Sequence, residues 1–291
     1  MRVACLTMVW KDQYFLDLWV RYYGALFGRG ALYVLSHGGE PEVAEVAQGC
    51  NIINIPRDAP DEMFDEIRWN LLSDFASGLT RYYDRVLVGD VDELILSLDP
   101  TRPLPERLAE RTLGPVSAPA GYELYPEDEA VMIAPDRPIL QQCFKGVLSA
   151  TYSKPGILSA PARLTAGGHG CTTPFELLPD LALLHLRFLN TPAQVERRKA
   201  RMEIAAAASE GAAREENAFL RGWRKAERIR EKIGRQFANA PEVASPLAPE
   251  RARKVLENAR KKKAGAHLFS VPQVRDQDFR IVLDPGLRDL F

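Results

Sequence analysis

The four cysteines of this chain, Cys5, Cys50, Cys143 and Cys171, stand far apart and form no C-x-x-C pair. Such spacing excludes a zinc ribbon and a secreted disulfide scaffold. No stretch reaches the roughly 18 consecutive apolar residues of a membrane span. The opening residues lack the apolar run and small-residue cleavage site of a signal peptide, so a reduced, cytoplasmic compartment is expected. There is no internal repeat of roughly 20–50 residues. A glycine- and basic-rich phosphate loop after the first strand is also missing, since only Lys11 follows it. What remains is an ordinary globular composition: 291 residues, 46% hydrophobic and 26% charged, with a net charge of −1. That is enough apolar material for one large core or two unequal ones, and it excludes disorder as the main state. Half of the 38 Lys and Arg fall between residues 197 and 263. This basic region reads either as solvated helix faces or as a contact for an anionic partner, such as the inner face of a membrane or a phosphorylated acceptor. Acidic residues interleave with the basic ones and no nucleic-acid motif accompanies them, so nucleic acid is not an expected partner.

Apolar periodicity gives the organisation. Residues 3–9 read as a strand, and Phe15, Leu18, Trp19, Tyr22 and Leu26 recur at helical spacing. Gly28 and Gly30 stop that helix. Residues 31–35 and 51–55 read as further strands, Met63, Ile67, Leu71, Leu72 and Phe75 as a long amphipathic helix, and residues 85–89 as a fourth strand. Strands alternating with helices imply an α/β fold, with a mostly parallel sheet covered by helices on both faces. The proline-rich stretches 100–105 and 115–138 read as irregular and as the acceptor side of a pocket. Short strands are expected near 130–133 and 156–158, and a longer one over 181–189. Residues 202–208 and the segments up to 237 and over 249–263 read as helical. The expected division is a larger domain at 1–195, in two halves at about 1–99 and about 100–195, followed by a basic helical extension at 196–291.

The chemistry concentrates at Asp90-Val91-Asp92-Glu93, at the end of the fourth strand. In such sheets, ligands bind beyond the carboxyl ends of the strands. Two aspartates one residue apart converge on one cation where the backbone turns, and hard oxygens suit Mg²⁺ or Mn²⁺. A cation there stabilises a departing diphosphate. The bland reading is a solvated acidic turn.

The run Arg85-Val86-Leu87-Val88-Gly89-Asp90-Val91-Asp92-Glu93-Leu94 resembles the D-[IV]-D-E segment of family-2-like bacterial glycosyltransferases and the related family 92 enzymes. Leu6-Thr7-Met8-Val9-Trp10-Lys11-Asp12-Gln13, Tyr152-Ser153-Lys154-Pro155-Gly156, His169-Gly170 and Leu184-His185-Leu186-Arg187-Phe188-Leu189-Asn190 are similar, in order, to their opening, K-P, H-G and H-Y-x-x-K-S blocks. Asp12-Gln13 stands where the family has N-E, Ser36-His37-Gly38-Gly39 where it has a D-x-x-S-D-G-T loop, and Asn190-Thr191 where it has K-S. The resemblance implies a GT-A fold and a metal-dependent glycosyltransferase, taking a UDP- or GDP-sugar as donor and a hydroxyl of a glycan or glycolipid as acceptor. It implies Asp90 and Asp92 for ribose and Mn²⁺ or Mg²⁺, with His185 as a further metal ligand. Residues expected to meet the nucleotide sugar are Thr7, Lys11, Asp12, Arg68, Asp90 and His169, with Arg187 as an added positive charge. Trp10 and Trp69 read as base-stacking or core residues.

The resemblance also suggests inversion, which needs a base for the acceptor hydroxyl. Glu123, Glu127, Asp128, Glu129 and Glu176 are the candidates, and Asp128 leads because the aromatics Tyr122 and Tyr125 offer a sugar-stacking platform beside it. Two other readings stand beside this one: another metal-dependent nucleotide-processing enzyme, such as a nucleotidyltransferase, and a non-catalytic anion-binding module.

Overall fold

A computed structural model of the chain describes residues 1–57, 63–110, 113–128, 131–192, 194–195, 218–261, 269–271 and 279–291. Glu129 and residues 202–208 lie outside the described residues.

Strand β1 (Val3–Val9) runs into helix α1 (Gln13–Phe27), whose buried residues Phe15, Leu18, Trp19 and Tyr22 follow the apolar period of the sequence. Gly28, at φ 82°, turns the chain out of that helix and returns its N–H to the Gly24 carbonyl at 2.9 Å. Strand β2 (Leu32–His37), helix α2 (Pro41–Val46), strand β3 (Asn51–Ile55), helix α3 (Phe64–Leu79) and strand β4 (Arg85–Val88) follow. The four strands are parallel in the order β3-β2-β1-β4. The chain therefore steps outward from β1 to β3, and α3 carries it back across to β4. Right-handed crossovers in opposite directions put α3 on the other face from α1 and α2. All seven residues of β1 are buried, as a strand covered on both faces must be. The carboxyl ends of β1 and β4 then flank the point where the strand order reverses, which is where such sheets open a crevice.

Beyond β4 the sheet is mixed. Strand β5 (Glu93–Ser97) precedes helix α4 (Leu104–Ala109), and β6 (Val116–Leu124) crosses the middle of the sheet. Helix α5 (Ile139–Gln142), β7 (Lys145–Leu148), β8 (Ile157–Leu158), β9 (Gly170–Cys171) and β10 (Glu176–His185) come next. Strand β8 is antiparallel to both β4 and β6, whereas β10 lies parallel to β6 and antiparallel to β5. A nine-residue strand thus occupies part of the proline-rich stretch expected to be irregular. Pro119 is tolerated within it because β10 changes register between Leu178 and Ala182, just past the partner of Pro119.

The segment expected to be a helical extension contains helix α6 (Ala218–Asn239) and helix α7 (Ala248–Lys261). It also contains strands: β11 (Glu242–Ala244) and β13 (Arg280–Val282) complete one edge of the main sheet through β7, and β12 (Phe269–Ser270) pairs with β9. The final Phe291 packs edge-on against Tyr22 of α1, with ring centroids 5.1 Å apart. No described helix is long and apolar enough to cross a membrane.

One close approach fixes the site segment to this frame. A Cβ on Gly121 of β6 would overlap the Tyr152 backbone and lie 2.6 Å from the Ser153 nitrogen. Gly121→Ala is therefore expected to lower stability by roughly 1–3 kcal/mol, the usual cost of overpacking. An unchanged urea midpoint contradicts this.

Candidate active site

Strand register assembles the centre. On the three adjacent strands β5, β10 and β6, Glu93 lies opposite His185 and His185 opposite Glu123. Paired residues share a face of the sheet, so two carboxylates flank one imidazole. Tyr22 of α1 donates to the Ile95 carbonyl and Tyr23 accepts from the Ile95 N–H, both at 2.8 Å, which anchors β5. The His185 Nδ1–H donates to Glu123 Oε2 at 2.6 Å, and Nε2 faces Asp92 Oδ2 at 3.5 Å. The Tyr152 ring stacks on the imidazole, centroids 4.1 Å apart. Burial works against a charge on His185, yet Glu123, Tyr152 and Asp92 together hold its pKa well above the ordinary value. Burial also opposes ionisation of Asp92, and His185 more than offsets it, leaving that carboxyl below its usual range.

Asp90 turns to other partners. Arg68 Nη2 of α3 donates to its Oδ1, and the Lys154 ammonium lies 3.4 Å from its Oδ2. The same ammonium donates to Glu93 Oε1 at 2.5 Å, while Glu93 Oε2 accepts the Asp90 N–H at 3.3 Å. Against the cost of burial, Lys154 and Arg68 keep Asp90 ionised well below the usual carboxylate range. Glu93 is pushed the other way, up to about 7, by burial and by the neighbouring Asp90 charge acting against Lys154. Asp92, Glu93 and His185 each offer a ligand atom, all within 4.8 Å of one another. That set of two hard oxygens and one imidazole nitrogen suits Mn²⁺ or Mg²⁺.

These groups form one wall of a cavity of about 530 Å³ that opens at the carboxyl ends of β1, β2 and β4. Trp10, His37, Arg57 and Phe64 line its outer part. The Arg57 guanidinium lies 3.8 Å over the half-exposed Trp10 ring and bonds His37 Nδ1 at 3.0 Å, and His37 stacks on Phe64. Asp12, His169, Arg187 and Arg230 also line it. Arg230 reaches in from α6, donating to the Phe188 carbonyl at 3.1 Å and to Asn190 Oδ1 at 3.2 Å.

The structure thus brings Asp12, Arg68, Asp90, Asp92, His169 and His185 to one cavity, together with Arg187. Asp90 faces Arg68 and Lys154 rather than the Asp92–Glu93–His185 grouping, so the acidic strand end is compensated by cations from α3 and from the segment after β7. Thr7 is fully buried inside β1 and lines no part of the cavity. Lys11 stands at the β1–α1 corner with φ 51°, its N–H held by Glu40 Oε2 at 2.9 Å and its ammonium 5.0 Å from the Trp10 ring, outside the lining. The expected bases are elsewhere. Glu123 is buried behind His185. Asp128 is exposed beyond β6 and outside the lining. Glu127 pairs with Lys145 at 2.6 Å. Glu176 begins β10, whose other end carries His185; ten residues of strand put it about 30 Å away. Tyr122 and Tyr125 are buried against Phe279 and against Phe188 and Phe237, so they form no sugar platform. Trp69 is core and Trp10 is the ring at the cavity.

Lys154, Tyr152, Arg57 and Arg230 were not anticipated as cavity residues. Lys154 and Tyr152 belong to the Tyr152-Ser153-Lys154-Pro155-Gly156 motif, but nothing in the local pattern ties Arg57 or Arg230 to this end of the sheet.

No family model matches the chain. No curated protein matches it either. Among solved structures, a mannose-1-phosphate geranyltransferase from Thermus thermophilus aligns at 14% identity and TM-score 0.28, covering 44% of this chain and 43% of that one. The chain spans less than half of that protein's length, and a likeness this slight carries no argument.

The pairing of His185 with Glu123 makes stability depend on pH. Its folded pKa exceeds the unfolded value of about 6.5, so in metal-free buffer the contribution is complete below that pH and is lost as pH rises through the folded value. Glu123→Gln is expected to destabilise the protein by about 2 kcal/mol at about pH 6, the gap closing in alkaline solution. An equal deficit at both ends of the range, by urea unfolding, contradicts the pairing.

Proposed function

We propose that this chain is a metal-dependent glycosyltransferase that moves a sugar, with inversion, from a UDP- or GDP-sugar to a hydroxyl of a glycan or glycolipid. The observation that carries the reading is the convergence of Asp92, Glu93 and His185 on one wall of a cavity at the carboxyl ends of parallel strands. Its volume of about 530 Å³ falls in the range of sites that enclose a small organic ligand.

In this reading Asp92, Glu93 and His185 hold Mn²⁺ or Mg²⁺. The bound cation supplies positive charge against the diphosphate as its bond to the sugar breaks. Glu123 fixes the His185 tautomer so that Nε2 is the ligating nitrogen, as outer carboxylates do at metal sites. Arg68 and Lys154 keep Asp90 ionised and fixed, ready to accept from a ribose hydroxyl. Arg187 adds charge for the phosphates, and the Trp10–Arg57–His37–Phe64 cluster offers flat faces to a nucleobase. Placing the donor among fixed charges, away from bulk water, strengthens each of these contacts.

The test is a thermal-shift screen of UDP and GDP with and without Mn²⁺, followed by nucleotide release from UDP- and GDP-sugars. A nucleotide is expected to stabilise the protein by about 2–3 kcal/mol near 100-fold excess over its Kd, and only with the metal. Asp92→Asn is expected to remove the metal-dependent part and to cut release at least about 100-fold. A wild-type protein indifferent to both nucleotides, or an Asp92→Asn variant with full turnover, contradicts the proposal.

A further inference from the structure

If the chain transfers sugar with inversion, as proposed above, a proton acceptor must lie inside the cavity, within hydrogen-bond reach of the attacking hydroxyl. None of the described carboxylates expected in that role does. The carboxylates among the described lining residues are Asp12, Asp90, Asp92 and Glu93. Asp90 is engaged by Arg68 and Lys154, Glu93 by Lys154, and Asp92 by His185. Asp12 belongs to the β1–α1 corner, beside the aromatic cluster.

His169 is different. Its Nδ1 lies 2.9 Å from the Thr151 carbonyl oxygen. A carbonyl only accepts, so Nδ1 carries the hydrogen and Nε2 keeps its lone pair. The ring lines the cavity and is partly exposed. Its loop is rigidly built: Gly167 and Gly168 take φ of +71° and +68°, and a Cβ on Gly168 would overlap the Trp69 ring. The Gly168 N–H returns to Thr165 and the Thr165 N–H to Gly170, each at 2.8 Å. Tyr152 meets the imidazole edge-on, centroids 5.2 Å apart, and stacks with its other neighbour, His185. The imidazole therefore stands one aromatic ring away from the proposed metal ligand, where the transferred sugar would lie.

We propose that His169 is the general base of the transfer, its Nε2 taking the proton of the attacking hydroxyl. The acceptor O–H bond breaks as the oxygen bonds the anomeric carbon. The bond from that carbon to the phosphate oxygen breaks, its electron pair leaving with the nucleoside diphosphate. The proton stays on Nε2 as imidazolium and is then lost to solvent. The groups facing this ring are Lys154, Asp90, His185 and Tyr152. Burial, and Lys154 after it, hold the His169 pKa below the ordinary value, so the ring is neutral and able to accept near neutral pH.

The experiment follows nucleotide release by the full chain from UDP- and GDP-sugars with Mn²⁺, water serving as acceptor, alongside calorimetric binding of UDP and GDP with Mn²⁺. His169→Ala and His169→Gln are expected to lose roughly 10²–10⁴-fold in kcat with nucleotide binding unchanged. Glutamine can still donate to the Thr151 carbonyl but cannot take the proton. Added imidazole is expected to restore part of the His169→Ala rate. Turnover retained in either variant, or loss of nucleotide binding along with turnover, overturns the base while leaving the donor reading intact. A wild-type protein that binds neither nucleotide overturns the donor reading and the base together.

Discussion

The Lys154 ammonium, on a side chain only 4% exposed, sits 2.5 Å from Glu93 and 3.4 Å from Asp90. It also lies 5.5 Å from the Trp69 ring and 5.1 Å from the Tyr152 ring. Removing such a charge from water costs several kcal/mol, repaid only by close, well-placed counter-charges. A hydrophobic plug would stabilise the fold as well or better, so the burial is explained by what the charge organises. It ties the turn after β4 to the segment 150–156. That segment in turn supplies Tyr152, which stacks on His185, and the Thr151 carbonyl, which orients His169.

Around that ammonium the charges form a nearly closed set. Asp90, Asp92, Glu93 and Glu123 bring four carboxylates, and Arg68, Lys154 and His185 bring three cationic groups. Burial, and after it the neighbouring Asp90 charge, raise the proton affinity of Glu93 against the pull of Lys154. In the proposed function, a divalent cation taking the place of the His185 proton would balance these four carboxylates together with Arg68 and Lys154. The same arrangement explains why Asp90 and Asp92, one residue apart, do different things: the turn at Val91 sends the first towards α3 and the second towards β10.

The parts of this architecture visible in the sequence are those encoded locally. The period of Phe15, Leu18, Trp19 and Tyr22 foretells α1, and the apolar run closed by Asp90 foretells β4 and its position over the crevice. What stayed hidden depends on pairing across long separations. Pro119 argues against a strand until the register change in β10 is seen beside it. Glu123 looks like a base in a loop because its partner is 62 residues away, on a strand that brings His185 directly opposite. The 61-residue separation of Lys154 from Glu93 hides the compensation of the acidic turn in the same way. Nor does local pattern tell that the last strands rejoin the sheet, since β13 is three residues long and takes its place from β7 and β11.

In the proposed function this charge set holds one divalent cation under a nucleoside diphosphate. The most direct measurement is anomalous diffraction from crystals of the protein grown with Mn²⁺ and UDP or GDP. A single strong manganese peak bounded by Asp92, Glu93 and His185 Nε2, with diphosphate oxygens beside it, is the predicted result. A map with no peak there, or with the diphosphate bound elsewhere, contradicts the account.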